Sequence, residues 1–332
     1  MPRKDPGPRS MVRFIGRVIK GSEPAQHPGF IEPALATLRA KPPTGNRYVH
    51  EIKFDGYRVQ AHLRGGLPIL YTRSGLNWTK RFPTIAEAMS SIPATDLIID
   101  GEVISADEKG AANFSSLQDD LSKSRYDRMA YYAFDLLYLD GFDLRAAQFT
   151  ERKRVLDGLL NEAGDIGPLY LSEHFEEDGN TLFAKSCELG LEGIVSKARN
   201  APYRSGRTEA WIKAKCLQVA RYEVIGYKSG ATSLYLGKRE GKDLVYVGKA
   251  GTGFTNSMII ELAKLLKPIT LAKMPLGKKP NRKNKIDNWA APKYRAEVGY
   301  RDITTDGLLR HVIFRGLCAS KTAKHPPVAK FK

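Results

Sequence analysis

The stretch Tyr48-Val49-His50-Glu51-Ile52-Lys53-Phe54-Asp55-Gly56-Tyr57-Arg58 decides how the rest of the chain is read. From Tyr48 to Phe54 it alternates like a strand, which puts Glu51 and Lys53 on one face and turns Ile52 toward a core on the other. Asp55-Gly56 breaks the alternation, and the apolar run from Tyr57 to Leu63 reads as the returning strand of a hairpin. Lys53 then stands at a strand end beside a tight turn, pinned rather than free. Such a lysine suits covalent chemistry if its amine is neutral. An unperturbed lysine, with a pKa of about 10.4, is almost wholly protonated at pH 7. Nearby cations, a bound metal or desolvation must lower that value before the amine can attack an electrophile such as a polyphosphate. The plainer alternative is a hairpin whose lysine points into water.

At 332 residues the chain is long enough for two domains with their own cores, and 42% hydrophobic content marks a globular protein. No apolar run reaches membrane-spanning length, and the opening Met1-Pro2-Arg3-Lys4-Asp5 lacks the apolar centre of a signal peptide, so a cytoplasmic protein without a membrane partner is expected. Cys187, Cys216 and Cys318 are odd in number and lack metal-ligand spacing; inert thiols are expected, rather than a disulfide or a zinc site. The histidines are scattered and suggest neither a triad nor a metal cluster. The net charge is +17, and it is uneven: residues 217–332 hold 23 basic and 8 acidic residues, against 30 and 28 before them. That asymmetry is the footprint of a polyanion-binding module joined to a nearly neutral one, and nucleic acid is the polyanion it fits best.

Residues 1–29, basic and rich in proline and glycine, read as an unstructured arm. From 30 to 216 strands and helices alternate. Thr84-Ile85-Ala86-Glu87 has capping-box spacing and opens a helix to about Ser91; Asp96–Val103 and Met129–Leu139 read as strands, Thr150–Leu160 and Asn180–Leu189 as helices. Together they form an α+β domain on antiparallel sheets. Residues 217–332 change to short strands, at 222–228, 234–239, 244–249, 296–302 and 309–315, with one helix at 256–266. This pattern suits a five-stranded barrel of the OB type. Lys278, Lys279, Arg282, Lys283 and Lys285 lie in a loop of that barrel and are candidates for DNA contact.

Further stretches carry possible chemistry. In Thr72-Arg73-Ser74-Gly75 an arginine precedes a turn, as needed to aim a guanidinium at phosphate or ribose, although alone it is a surface turn. Leu97-Ile98-Ile99-Asp100-Gly101-Glu102-Val103 places acids in an apolar strand, so Glu102 needs a partner: ribose hydroxyls, a metal or a salt bridge. Tyr131-Tyr132-Ala133-Phe134-Asp135-Leu136 is an aromatic stripe, by itself more in keeping with core packing. Leu191-Glu192-Gly193-Ile194-Val195-Ser196-Lys197 sets a carboxylate before a glycine and a buried strand. In Trp211-Ile212-Lys213-Ala214-Lys215 the tryptophan and both lysines share one face, and the lysines repel unless an anion bridges them.

Taken together, these stretches resemble the ATP-dependent DNA ligases over about Phe30 to Lys321. The likeness is strongest to the ligase domain of the bacterial end-joining enzyme, DNA ligase D. The resemblance implies an α+β nucleotidyltransferase domain with ATP-grasp-like antiparallel sheets, followed by an all-β OB-fold domain hinged near 215–221. It makes Lys53 the adenylated nucleophile and Lys213 and Lys215 the pair that binds the α-phosphate. It places Ile52, Arg58, Arg73, Glu102 and Trp211 about ATP, with Phe134 stacked on adenine opposite a wall from Ile194 or Ile212. Glu51 would accept from the adenine amino group, and Lys197 would lie against phosphate or else be a surface lysine. Glu192, with Glu102, would hold magnesium or manganese. In the last motif the family continues with arginine, a spacer, aspartate and lysine, where this chain has Cys318, Ala319, Ser320 and Lys321. Pyrophosphate would then fall to Arg315 and the retained Lys321.

The implied partners are nicked or broken duplex DNA, Ku and a separate repair polymerase. The protein would act as a monomer in the bacterial cytoplasm at the nucleoid. RNA ligases and capping enzymes share the lysine motif, but Glu51 and the wording around Lys53 argue against them. A DNA-binding protein that has lost catalysis is the rival of another class.

Overall fold

The structure, a computed structural model, describes residues 19–105, 112, 114–277, 286–304 and 306–319. The chain divides into two compact units, Met1–Cys216 and Leu217–Lys332. In chain order the first unit carries β1 (Glu23–Pro24), β2 (Ala34–Arg39), β3 (Tyr48–Ile52), β4 (Tyr57–Arg64), β5 (Leu67–Thr72), α1 (Pro83–Met89), β6 (Leu97–Ser105), α2 (Phe114–Ser122) and β7 (Met129–Leu139). It continues with β8 (Phe142–Asp143), α3 (Phe149–Ala163), β9 (Leu169–Leu171), β10 (His174–Phe175), α4 (Gly179–Glu188), β11 (Gly193–Ala198) and β12 (Gly206–Lys215).

These strands make two sheets, ordered β1-β8-β7-β6-β4-β5 with β9 beside β7, and β10-β3-β11-β12-β2. The expected hairpin around Lys53 is therefore corrected. β3 pairs with β10 and β11, whereas β4 pairs with β5 and β6, so the chain passes from one sheet to the other immediately after Lys53. Gly56 permits the crossing: a Cβ there would stand 2.0 Å from the Val103 carbonyl oxygen. Only glycine lets the chain approach β6 so closely.

Alternation along β4 and β6 gives the larger sheet two apolar faces. Val59, Ala61, Leu63, Leu97, Ile99 and Val103 join Ile85 and Met89 of α1, Leu117 of α2 and Leu156 and Leu159 of α3 in the main core. Each Val, Leu, Ile or Met among them contributes about 1.5–3 kcal/mol on full burial. On the opposite side Ile98, Leu137 and Tyr138 meet Ala34, Tyr203 and Trp211, so the two sheets face one another across a second, smaller core.

β7 has the expected bounds. α1 begins at Pro83 without a capping box: Phe82, the residue before it, makes no side-chain cap, and the Thr84 hydroxyl donates instead to the Tyr126 carbonyl at 3.3 Å. Proline at the first helical position presets the turn. The described part of the expected arm, residues 19–29, is also corrected: Ile19 is buried in the main core and Glu23–Pro24 pair with β8. The rest of the arm lies outside the described residues. Among the described residues, no helix is long and apolar enough to cross a membrane.

The second unit carries β13 (Gln218–Tyr227), β14 (Leu234–Glu240), β15 (Asp243–Ala250), α5 (Asn256–Leu266), β16 (Thr270–Leu271), β17 (Asn288–Ala290), β18 (Tyr294–Tyr300) and β19 (Ile313–Ala319). β14 lies between β15 and β13, and β18 between β13 and β19. A parallel bridge from Thr252 to Ile313 brings the chain after β15 against β19 and closes the barrel. β19 starts four residues later than its sequence suggests, because Leu309 is taken by a bridge to Ile303. Lys278, Lys279, Arg282, Lys283, Lys285 and Lys321 lie outside the described residues.

Candidate active site

The Lys53 N–H donates to the Gly193 carbonyl at 2.9 Å, so the residue stays bound to the start of β11 after β3 has ended. Its Nζ lies 2.5 Å from Glu192 Oε2 and 3.3 Å from the Phe54 carbonyl oxygen. Glu192 is buried, and its Oε1 lies 2.8 Å from Lys215 Nζ. One carboxylate thus bridges two ammonium groups. Glu192 pairs Lys215 with Lys53, and it does not reach Lys213 of the expected lysine pair.

Lys53 and Phe54 border a cavity of about 210 Å³ whose lining also includes Glu51, Ile52, Arg58, Arg73, Glu102, Phe134, Lys197, Trp211 and Lys213. A larger hollow, beside Arg47, Arg199 and Arg204, contains none of the expected site residues. Burial lowers the Lys213 pKa, and Lys53, Lys215 and Arg207 push it the same way against Glu192. Burial raises Glu102 to about 7, against the pull of Lys53 and Arg58 and with the help of Glu192 and Asp100. A carboxylate and a lysine, both short of solvent, therefore sit within reach of the same nucleophile's field.

Three expected assignments change. Ile194 is not part of the cavity wall; it packs with Leu182 and Ala214 on the far face of β11, and by alternation Val195 lines the cavity. Ile212 is buried and absent from the lining as well.

Arg58 borders the cavity with its donors already engaged. Nε and Nη2 reach Asp100 at 3.0 and 2.6 Å, and Nη1 reaches the Ala34 carbonyl at 2.5 Å. Burial works against that charge, but Asp100 outweighs it and holds the Arg58 pKa high. The Tyr203 hydroxyl donates to the same carboxylate at 2.6 Å. Arg58 thus ties β4 to β6 and to the start of β2.

Lys197 lines the cavity but is not a surface lysine. It is buried, with its ammonium 4.4 to 4.8 Å from the ring centroids of Trp211, Phe134 and Phe149 and 2.8 Å from Glu51 Oε2. Burial pushes it down to about 8, and Glu51 resists that shift.

Glu51 is itself almost fully buried. Besides Lys197 it accepts from Lys153 Nζ at 2.8 Å and from the Ser172 hydroxyl at 3.3 Å. Reading the sequence missed Lys153, yet a signal was present: Phe149, Lys153, Leu156 and Leu160 share one helical stripe, which puts a lysine on an apolar face. Asp100, Tyr203 and Arg207 were missed as well, since their partners lie far away in the chain. The expected inert thiols are also corrected, because Cys187 and Cys216 form a disulfide and Cys318 is free. The pair meets because α4 packs on β11 and ends beside the end of β12.

The family description ATP dependent DNA ligase domain matches residues 34–215, and ATP dependent DNA ligase C terminal region matches residues 228–321. This chain belongs to the ATP-dependent DNA ligase family. Its two units are the nucleotidyltransferase domain and the OB-fold domain of those ligases. Over 307 residues it is 36% identical to the multifunctional non-homologous end joining protein LigD of Pseudomonas aeruginosa, covering 90% of this chain and 36% of that protein. Over 285 residues it is 30% identical to LigD of Mycobacterium tuberculosis, covering 83% and 37%. The ligase chain thus spans little more than a third of the length of these curated relatives. Among solved structures it matches mycobacterial DNA ligase D complexed with ATP and MES at 30% identity and a TM-score of 0.53, over 88% of this chain and 96% of that one. A Lig E DNA ligase, at 18% identity and a TM-score of 0.58, shares the fold.

Proposed function

We propose that the chain seals 5′-phosphate/3′-hydroxyl breaks in duplex DNA through a lysyl-adenylate and a DNA-adenylate, as part of repair by non-homologous end joining. The observation that carries this reading is Lys53 Nζ at the cavity rim, 2.5 Å from Glu192, which is also bound to Lys215. In the first step Lys53 Nζ loses a proton, bonds to the α-phosphorus of ATP and releases pyrophosphate. Glu192 Oε2 is placed to take that proton. Lys213, unfavourably desolvated beside Lys53 and Lys215, gains most from a phosphate, so charge developing on the α-phosphate would draw on it. The adenylate then passes to a DNA 5′-phosphate, and the 3′-hydroxyl displaces AMP.

Glu192 and Glu102 would hold magnesium or manganese. The donor set fits: Glu192 raises the Glu102 pKa, so the two carboxylates oppose each other's charge, and magnesium takes one or two carboxylates with phosphate oxygens and water. The ion would neutralise phosphate charge and weaken the hold of Glu192 on Lys53. Phe134 would stack on adenine, Glu51 would read the amino group with its remaining acceptor capacity, and Arg73 would meet ribose or the DNA 5′-phosphate. Exposed Arg315, with Lys321, would orient pyrophosphate, and Lys278, Lys279, Arg282, Lys283 and Lys285 would meet DNA phosphates. Ku and a repair polymerase as partners, monomeric action and a cytoplasmic, nucleoid-associated location complete the proposal.

Incubation with α-labelled ATP and magnesium, followed by a nicked duplex, tests it. The expected result is label on the protein that is lost in Lys53→Ala and released as AMP on sealing. Sealing by Lys53→Ala with ATP at the wild-type rate would overturn the reading.

A further inference from the structure

Cys187 is the penultimate residue of α4, and Cys216 follows Lys215 directly at the end of the first unit. The bond between them therefore joins a helix terminus to the strand that carries both site lysines. β11 and β12 inside this link are held by their own ladder, and the turn from Cys187 to Glu192 is tied to the site by a few backbone hydrogen bonds. The Leu191 N–H donates to Ser186, the Cys216 N–H donates to the Glu192 carbonyl at 3.0 Å, and the Lys53 N–H donates to Gly193. Cys187 to Glu192, one hydrogen bond and the disulfide thus close a small ring, and the side chain projecting from it at Glu192 pairs with both Lys53 and Lys215. Leu189 in the same loop is largely exposed and adds no packing of its own. Beyond the β11–β12 ladder, which starts at Gly193 opposite Lys215, and the Glu192–Lys215 ion pair, the backbone link from the Glu192 carbonyl to Cys216 is one hydrogen bond, and the disulfide reinforces it.

We propose that Cys187 and Cys216 form a reversible thiol–disulfide site that takes a dithiol reductant, and that its state sets the placement of Glu192 and Lys215 and the rate of lysyl-adenylate formation. Both cysteines are partly exposed, so a reductant can reach them. A thiolate of the reductant attacks one sulfur and releases the other cysteine as a thiolate. The second thiol of the reductant then resolves the mixed disulfide. Two electrons and two protons pass to the protein, and the reductant leaves as its own disulfide. In a reducing compartment, a disulfide that does form is typically transient or redox-sensing. This inference rests on the ligase reading for its effect on rate, but not for its effect on structure.

The test uses the full chain, oxidised with glutathione disulfide or reduced with dithiothreitol, beside a Cys187→Ser/Cys216→Ser variant. Maleimide labelling under denaturing conditions should find one thiol in the oxidised protein, Cys318, and three in the reduced one. Hydrogen exchange should quicken on reduction in peptides spanning 187–193 and 211–217 and stay unchanged in β7. Lysyl-adenylate formation should fall at least fivefold on reduction, and the double variant should match the reduced protein with or without dithiothreitol. Three reactive thiols after oxidation, or exchange and adenylation that are both indifferent to reduction, would overturn the proposal. A change in exchange with no adenylate in either state would sink the ligase reading while upholding redox control of the site's placement.

Discussion

At Lys53, Glu192 binds the ammonium at 2.5 Å and also holds Lys215, so where one carboxylate sits fixes the position of the reacting amine. Glu102 shows the cost of building such a site. Its pKa is raised from an ordinary 4.5 to about 7. A raised folded value means the native state holds the proton more tightly than the unfolded chain does. The stability it contributes is therefore fully present below pH 4.5 and lost as the pH rises through 7. Glu102→Gln should accordingly unfold at higher denaturant than the wild type at pH 8, by on the order of 2–3 kcal/mol, with the gap closing below pH 5. Equal midpoints at pH 8 would show that the carboxylate is not strained. Lys153 acts in the opposite sense. It is one of two ammonium groups that satisfy Glu51, and Lys153→Met should cost about 3 kcal/mol in urea unfolding by leaving that buried carboxylate underpaired. A loss below 1 kcal/mol would mean that Lys197 and Ser172 suffice.

Among the elements, those with a strong local pattern were legible in the sequence. β7 and α5 have the bounds that their residues imply, because a run of aromatic and apolar residues, or a helical stripe opened by a Thr255 cap, decides the matter locally. The partition of β3 and β4 between two sheets was not legible, since β3 pairs with residues more than a hundred positions away and no local feature distinguishes that pairing from a hairpin. Non-local pairing also hid the Arg58–Asp100–Tyr203 network, with Tyr203 lying 103 positions from Asp100, and the disulfide, whose cysteines are 29 apart. Gly56 is the place where the crossing can be tested. In Gly56→Ala the added methyl would meet the Val103 carbonyl, so a loss of at least about 2 kcal/mol is expected, together with a raised KM for ATP as Lys53 shifts against the cavity. A variant as stable as the wild type would show that β4 can move away from β6 without penalty.

Across the whole molecule, the charge asymmetry and the two-part organisation could be read from composition and strand spacing, whereas most cavity residues came only from the resemblance to the ligase family. What each residue does there could not be read in the same way. Arg58 and Lys197 both carry the right charge for a phosphate, but in the fold that charge is spent on Asp100 and Glu51. Lys53 and Lys213 also line the cavity; Lys53 pairs with the buried Glu192, which is not among the lining residues, and the proposed chemistry depends on Lys53. The direct measurement is peptide mapping of the protein after incubation with ATP and magnesium, to find the residue that carries AMP. The expected result is a phosphoramidate adduct on Lys53 that is discharged when nicked DNA is added. AMP on Lys213 or Lys215 instead, or sealing of DNA with no adduct on Lys53 at any time, would contradict it.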